Sequence, residues 1–137
     1  MKISYDAVLT PQPDGGFTVT FPDLPDAITE GDTEEEAMYN AAEVLTLTLD
    51  GRLEEGEEIP VPLFCNGVTV YPSPLCQAAV LVRTARQGRP LSDIARILNT
   101  SWAAAQRLEN PRHASNIRQL ERAASIFGKR LVLSFEP

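Results

Sequence analysis

Apolar and polar residues alternate in two short runs near the start of the chain. In residues 2–10 (KISYDAVLT), Ile3, Tyr5, Ala7 and Leu9 alternate with mostly more polar residues, and in residues 17–21 (FTVTF) the apolar positions are 17, 19 and 21. A period of two places successive side chains on opposite faces of a β-strand. The intervening PQPDGG contains a Gly-Gly turn, so the pattern predicts an antiparallel hairpin.

A helical spacing of apolar residues follows in residues 33–51 (TEEEAMYNAAEVLTLTLDG). Thr33 and Glu36 have the spacing of a capping box, and the glutamates of the first turn suit the positive end of the helix dipole. Gly51 is predicted to end the helix in a left-handed conformation. The predicted apolar stripe consists of Ala37, Ala41, Leu45 and Leu49, with Met38 and Val44 beside it.

Two further segments complete the N-terminal part. Residues 67–72 (GVTVYP) predict a third strand, whereas residues 22–32 (PDLPDAITEGD), rich in Pro and Asp, predict an irregular connection. The order strand, strand, helix, strand predicts an α+β domain in which the helix covers one face of the sheet.

The remaining chain predicts short helices, with Ser73, Ser101 and Ser115 as N-caps and Gly88 and Gly128 as terminators. The helices over residues 92–98 and 102–110, joined by a turn at Asn99, predict a helix-turn-helix. The apolar positions expected to pack in these helices are Leu75, Ala79, Val82, Ala85, Ile94, Ala95, Ile97, Leu98, Ala105, Leu108, Ile117, Leu120, Ala124 and Phe127.

The last residues, KRLVLSF (129–135), alternate again and predict a single strand far from the first sheet in sequence. A lone strand needs a partner. We therefore predict pairing with the same strand of a second subunit, which gives a homodimer or a higher oligomer.

Charge is divided between the two parts. The chain has a formal net charge of -7, but residues 1–72 carry -13 and residues 73–137 carry +6. Such asymmetry is typical of two pieces with different partners. We therefore predict an acidic domain at 1–72 and a basic domain at 73–137. The acidic side chains suit either a solvated surface or a face that docks a basic protein.

Candidate chemistry for catalysis or cofactor binding is sparse. The single histidine, His113, lies far from the acidic residues, and no nucleophile triad, phosphate loop or metal-ligand spacing is present. Cys65 and Cys76 are predicted to be free, buried thiols in a reducing cytoplasm. No run is long enough for a membrane span, and the start lacks a signal-peptide pattern. We expect no catalytic residue, no metal and no cofactor.

The basic domain supplies a candidate DNA-binding surface. A recognition helix places its outward residues in the major groove, where arginine can bind guanine and glutamine adenine. Residues near helix ends commonly contact phosphates, and His113 and Arg118 also have such positions. The predicted DNA-binding residues are Ser101, Trp102, Ala103, Gln106, Arg107, Asn110, Arg112 and Arg89.

Two stretches resemble one protein family. Residues 21–45 (FPDLPDAITEGDTEEEAMYNAAEVL) resemble the signature of HicB antitoxins, in which a strand ends in Phe, a Pro-Asp loop follows and a T-x-G-x-T-x-x-E-A pattern starts a helix. Residues 96–135 resemble the HicB branch with a lambda-repressor-like helix-turn-helix. The resemblance covers nearly the whole chain, although Trp102 stands where such readers more often have a polar residue.

The resemblance implies both fold and function. It implies an α+β chain: a partial RNase H-like sheet with one packed helix, without nuclease activity, then an all-α lambda-repressor-like domain ending in a strand. It implies a cytoplasmic antitoxin that blocks a HicA-like toxin, an mRNA-cleaving ribonuclease, and represses its own operon by binding operator double-stranded DNA.

The resemblance also favours docking over solvation for the acidic residues, although no motif fixes the contacts. Our predicted toxin-binding residues are Asp23, Leu24, Asp26, Glu30 and Asp32, with Tyr5 and Phe17 as apolar contacts. Two alternatives remain: a solitary helix-turn-helix repressor with an acidic ligand-sensing domain, and a nuclease on an RNase H-like scaffold. The nuclease needs carboxylates clustered on adjacent strands, and the predicted strands supply only Asp6.

Overall fold

The computed structural model describes all residues from 1 to 137. The chain folds as two compact units, residues 1–77 and residues 78–137, which we call the first and the second unit. The five residues between the predicted boundary and the end of the first unit carry no charge, so the units have the same net charges of -13 and +6.

The first unit contains a four-stranded antiparallel sheet with the order β3-β2-β1-β4. The predicted hairpin is confirmed, with Leu9 opposite Val19, and so is the strand predicted within residues 67–72. The prediction of an irregular connection over residues 22–32 was wrong at its end, because this stretch includes a short edge strand. The strands are β1 (Tyr5–Pro11), β2 (Phe17–Thr20), β3 (Ile28–Gly31) and β4 (Val68–Val70).

Helix α1 (Glu34–Glu55) begins as predicted and ends later than predicted. The Thr33 hydroxyl accepts a hydrogen bond from the Glu36 N–H at 3.1 Å. Gly51 lies inside the helix, and the left-handed residue that ends it is Gly56, with a φ of 69°. An interior glycine costs about 1 kcal/mol, but continuing the helix buries Leu53 beneath it.

The predicted stripe of α1 is confirmed as core, because Ala37, Ala41, Leu45 and Leu49 are fully buried. Gly31, at the end of β3, brings the sheet against the first turn of the helix. A Cβ at this position would lie 2.7 Å from the Cα of Ala37. This close backbone approach requires glycine, which explains the glycine of the T-x-G-x-T-x-x-E-A pattern.

The second unit is helical. Its helices are α2 (Pro74–Arg86), which begins in the first unit, α3 (Leu91–Ile97), α4 (Trp102–Arg107) and α5 (Ile117–Ile126). Ser73 and Ser101 cap α2 and α4 as predicted, accepting hydrogen bonds from Cys76 N–H and Ala104 N–H. Asn99 is left-handed, with a φ of 54°, where α3 turns toward α4.

Several predictions in the helical region were wrong by small register errors. The N-cap of α5 is Asn116 and not Ser115, because Asn116 and Gln119 exchange two hydrogen bonds in a capping box. This start places Ala123 in the core, whereas Ala124 is half-buried. Three further residues are exposed, although we expected them to pack: Leu75, Ile97 and Ile117.

No strand follows α5, so the C-terminal strand of the predicted fold is absent from the single chain. A strand is defined by hydrogen bonds to a neighbour, and a single chain offers this segment none. Leu133 and Phe135 are exposed. Pairing of this segment between subunits stays a prediction.

Candidate interaction surfaces

The predicted acidic contact residues have different environments in the first unit. Asp23 is half-buried, and its carboxylate Oδ2 accepts hydrogen bonds from Leu63 N–H at 3.1 Å and Phe64 N–H at 3.0 Å. The carboxylate is thus committed to the loop that carries these two residues. Asp23 therefore positions the backbone of this loop.

The other four residues divide into one core residue and three surface acids. Leu24 is fully buried, which removes its side chain from the surface where we expected a contact. The sequence reading missed this because the Pro-Asp neighbours of Leu24 suggested an exposed loop. Asp26 is exposed and forms an ion pair with Arg52 at 3.1 Å, while Glu30 and Asp32 are exposed.

A loop without regular secondary structure connects α1 to β4, and we call residues 57–66 the proline loop. The buried Tyr5 hydroxyl donates a hydrogen bond to the Pro60 carbonyl at 2.5 Å. Burial, reinforced by the negative charge of Asp23, raises the pKa of Tyr5 to about 12. Tyr5 is thus an internal support of the loop and not the apolar surface contact that we expected.

The side chains of the proline loop were missed by the sequence interpretation. Val61 and Leu63 are 70% and 80% exposed. The available signal was the run IPVPLF, in which two prolines separate apolar residues that match neither a helix nor a buried strand.

Alkaline pH is expected to destabilise the first unit through Tyr5. The pKa of a tyrosine in an unfolded chain is about 10, so between pH 10 and 12 the folded state holds a proton that the unfolded state has lost. The Tyr5 contribution is complete below pH 10 and is lost as pH rises toward 12, by at most about 1.4 kcal/mol per pH unit. Urea unfolding at several pH values should show this decline.

The control for this prediction is Tyr5→Phe in a Cys76→Ala background. Burial, followed by the charge of Asp50 and a hydrogen bond with it, also raises the pKa of the Cys76 thiol, so this group must be removed from both proteins. The Phe variant should lack the Tyr5 part of the alkaline decline. Equal slopes for the Tyr and Phe proteins would contradict the prediction.

In the second unit, α4 presents one exposed face and one buried face. The exposed face consists of Trp102, Ala103, Gln106 and Arg107, and Trp102 is 51% exposed to solvent. The opposite face contributes to the core, and the predicted burial of Ala105 and Leu108 is confirmed. The core cluster consists of Val82, Ile94, Ala95, Leu98, Ala105, Leu108 and Ala123.

The predicted phosphate-contacting residues lie on the surface of the second unit. Arg89, Asn110 and Arg112 are exposed, as are His113 and Arg118. The Asn110 carbonyl Oδ1 accepts a hydrogen bond from Arg112 N–H at 3.0 Å, which orders the turn after α4. Ser101 is exposed as well, but its hydroxyl caps α4. Contact with DNA by these residues stays a prediction.

The sequence interpretation missed a buried ionic cluster of Glu109, Arg83 and Arg86. Glu109 is only 5% exposed. Its Oε1 accepts from Arg83 Nε at 2.5 Å and its Oε2 from Arg86 Nε at 2.6 Å. The cluster joins α2 to the residues that follow α4. The only signal in the sequence was one acidic residue among many basic ones, and Arg83 and Arg86 thus have a structural role.

No group of three or more His, Cys, Asp or Glu side chains is placed to hold a metal ion. Cys76 is buried as predicted, but Cys65 is exposed, which corrects the prediction of two buried thiols. None of the helices combines the length and apolar character needed to cross a bilayer.

Comparison with known proteins identifies relatives of this chain. The family model described as HicB-like antitoxin of bacterial toxin-antitoxin system matches residues 4–66. Antitoxin HicB of Escherichia coli strain K12 is 33% identical over 133 residues, which cover 94% of this chain and 96% of that protein. Antitoxin HicB 1 of Photorhabdus laumondii is 34% identical over 138 residues, 98% of this chain and 88% of the relative.

Among solved structures, the crystal structure of the N-terminal domain of Burkholderia pseudomallei antitoxin HicB is similar. It superposes with a TM-score of 0.42 at 21% identity, and the match covers 46% of this chain and 74% of that one.

Proposed function

The chain belongs to the HicB-like family of bacterial antitoxins, which is not known to be enzymatic, and on this premise we propose that it neutralises a HicA-type toxin and represses its own operon. The observation that carries the proposal is the similarity to proteins named antitoxin over more than nine-tenths of the chain, through both units. The first unit binds the toxin and the second binds the operator.

The charge of the first unit supports the toxin-binding role. A HicA-type toxin cleaves mRNA, so its active surface must attract a polyanion. The first unit carries a net charge of -13, and Asp26, Glu30 and Asp32 are at its surface. A protein of this charge competes with RNA for a basic surface, because both offer concentrated negative charge. We propose that the first unit, a partial RNase H-like scaffold without nuclease activity, acts as such a competitor.

The geometry of the second unit supports the DNA-binding role. The exposed face of α4 offers a guanidinium at Arg107, an amide at Gln106 and a methyl group at Ala103, which suit guanine, adenine and thymine. Trp102 packs on sugars or thymine methyl groups beside them. Ser101 at the start of α4, with Arg89, Asn110 and Arg112, contacts the backbone phosphates.

Operator binding by this unit implies a two-fold symmetric protein. We propose that residues 129–135 pair between two cytoplasmic subunits and hold two copies of α4 at successive major grooves. The exposed Leu133 and Phe135 support this role, because they share one face of the predicted strand and a dimer would cover that face. Homodimers, or tetramers made from them, would then be the DNA-binding species.

The proposal is tested by titrating the full-length protein against its upstream DNA at two salt concentrations, with and without the basic protein encoded by the adjacent gene. We expect binding that weakens steeply with salt, and a stable complex with the neighbour that abolishes its RNA cleavage. DNA binding without any complex would instead indicate a solitary repressor. Absence of both interactions would refute the proposal.

Arg107→Ala is expected to weaken operator binding by about 1–3 kcal/mol and to relax specificity at one base pair, since a guanine-binding fork is lost. Arg112→Ala is the comparator. It should weaken binding to all sequences alike and reduce the salt slope by about 1. Toxin binding should be unchanged in both. If Arg107→Ala retains the affinity and base preference of the wild type, α4 is not the recognition helix.

A further inference from the structure

We propose that Val61 and Leu63 form the apolar centre of the toxin-binding surface, surrounded by a rim of carboxylates. The inference rests on the proposed function, because it assumes a basic protein partner, and it adds a contact site that differs from the acidic residues predicted from the sequence. The partner chemistry that fits is a shallow apolar recess ringed by lysine or arginine side chains.

The first observation is that hydrogen bonds fix the backbone of the proline loop at three places. Tyr5 donates to the Pro60 carbonyl, and Asp23 accepts from the amides of Leu63 and Phe64. At the beginning of the loop, the Arg52 carbonyl accepts from Glu57 N–H at 2.8 Å. These contacts hold a segment that has no helix or strand of its own.

The second observation is the exposure of the two aliphatic side chains on this fixed backbone. A single exposed leucine is common in soluble proteins. Here two aliphatic side chains, 70% and 80% exposed, follow successive prolines, whose rings restrict the backbone further. A partner that covers them would gain apolar contact without the entropic cost of ordering a loop, because the loop is already ordered.

The third observation is the charge around the loop. Arg52 donates a hydrogen bond to the Glu58 carbonyl of the loop at 3.4 Å, and its guanidinium also pairs with Asp26 at 3.1 Å and with Glu57 at 4.0 Å. The carboxylates near this segment outnumber that arginine, so the local charge is negative. They are the exposed side chains of Asp26, Glu54, Glu55, Glu57 and Glu58.

An apolar centre within a charged rim is the usual anatomy of a specific protein interface. The rim controls the rate of encounter with an oppositely charged partner, and the centre controls the lifetime of the complex. This division of roles gives the inference a kinetic signature, and it selects a basic partner over a second copy of the acidic first unit, which the same rim would repel.

The test compares three full-length variants for binding to a cleavage-deficient form of the neighbouring-gene toxin, by surface-immobilised kinetics. Val61→Ser/Leu63→Ser should raise the dissociation rate, with a loss of affinity of about 100-fold, the scale of a lost interface hot spot. Glu57→Gln/Glu58→Gln should mainly slow association and reduce its salt dependence. Leu47→Ser, at an exposed leucine of α1, is the matched control and should bind within about threefold of the wild type.

DNA binding and the midpoint of thermal unfolding verify that the variants are folded, and both should match the wild type because the substituted side chains are exposed. If the wild type binds the toxin and the Val61/Leu63 variant dissociates at the same rate, the inference is wrong while the proposed function stands. If the wild type does not bind the toxin, the proposed function itself fails and the inference falls with it.

Discussion

Glu109→Ala is expected to lower the free energy of unfolding of the second unit by about 3–5 kcal/mol, the cost of breaking a buried ion pair by removing one partner. Glu109 is 5% exposed and accepts hydrogen bonds from two guanidinium groups. Its removal leaves two partly buried positive charges close together without a counter-charge. Because whole domains are stable by only about 5–15 kcal/mol, operator binding should be lost near the physiological temperature.

Chemical unfolding followed by Trp102 fluorescence measures this effect, since the only tryptophan of the chain lies in the second unit. Glu121→Ala removes an exposed glutamate from the same unit and should change stability by no more than about 0.5 kcal/mol. Toxin binding by the first unit should survive the Glu109 substitution. A Glu109→Ala protein with the wild-type denaturation midpoint would show that the cluster adds no stability.

Phe21→Ala is expected to have a comparable effect on the first unit. Phe21 is 1% exposed and is among the largest fully buried side chains. Truncating a buried phenylalanine costs about 3–5 kcal/mol, through lost transfer energy and the cavity that remains. The residue follows β2 and precedes the segment that carries Asp23 and Asp26, so toxin binding should be lost with the fold. The second unit should still bind DNA.

Tyr39→Ala is the control for Phe21, because it removes an aromatic ring that is 68% exposed in the same unit. Circular dichroism during urea unfolding reports both variants. We expect Phe21→Ala to unfold in two steps, the first unit at lower urea than the second. A single transition at the wild-type midpoint would contradict the central position of Phe21 in the core.

Local rules predicted the parts of this fold that depend on neighbouring residues. The Thr33 cap, the α1 stripe and the turn at Asn99 each follow from interactions within a few positions of sequence. The first strands were predictable for the same reason, because alternation and the Gly-Gly turn are adjacent.

The features that escaped prediction depend on distant residues. β3 is four residues long and forms because β2 supplies a ladder. Glu109 is buried because two arginines more than twenty positions earlier reach it. No periodic pattern in the sequence indicates the pairing of β3 with β2 or the contacts of Glu109 with the two arginines. Of the candidate contacts, Asp23 was selected for its charge, but its role in holding the proline loop depends on amides forty residues away.

The two thiols of this chain differ in a way that experiments can use. Cys65 is exposed on the proline loop, two residues from Leu63, whereas Cys76 is buried, and burial, with Asp50 beside it, disfavours its thiolate. A maleimide dye will therefore attach to the native sequence at one place without any engineered cysteine. The label reports directly on the surroundings of the loop, so its fluorescence can follow complex formation in real time.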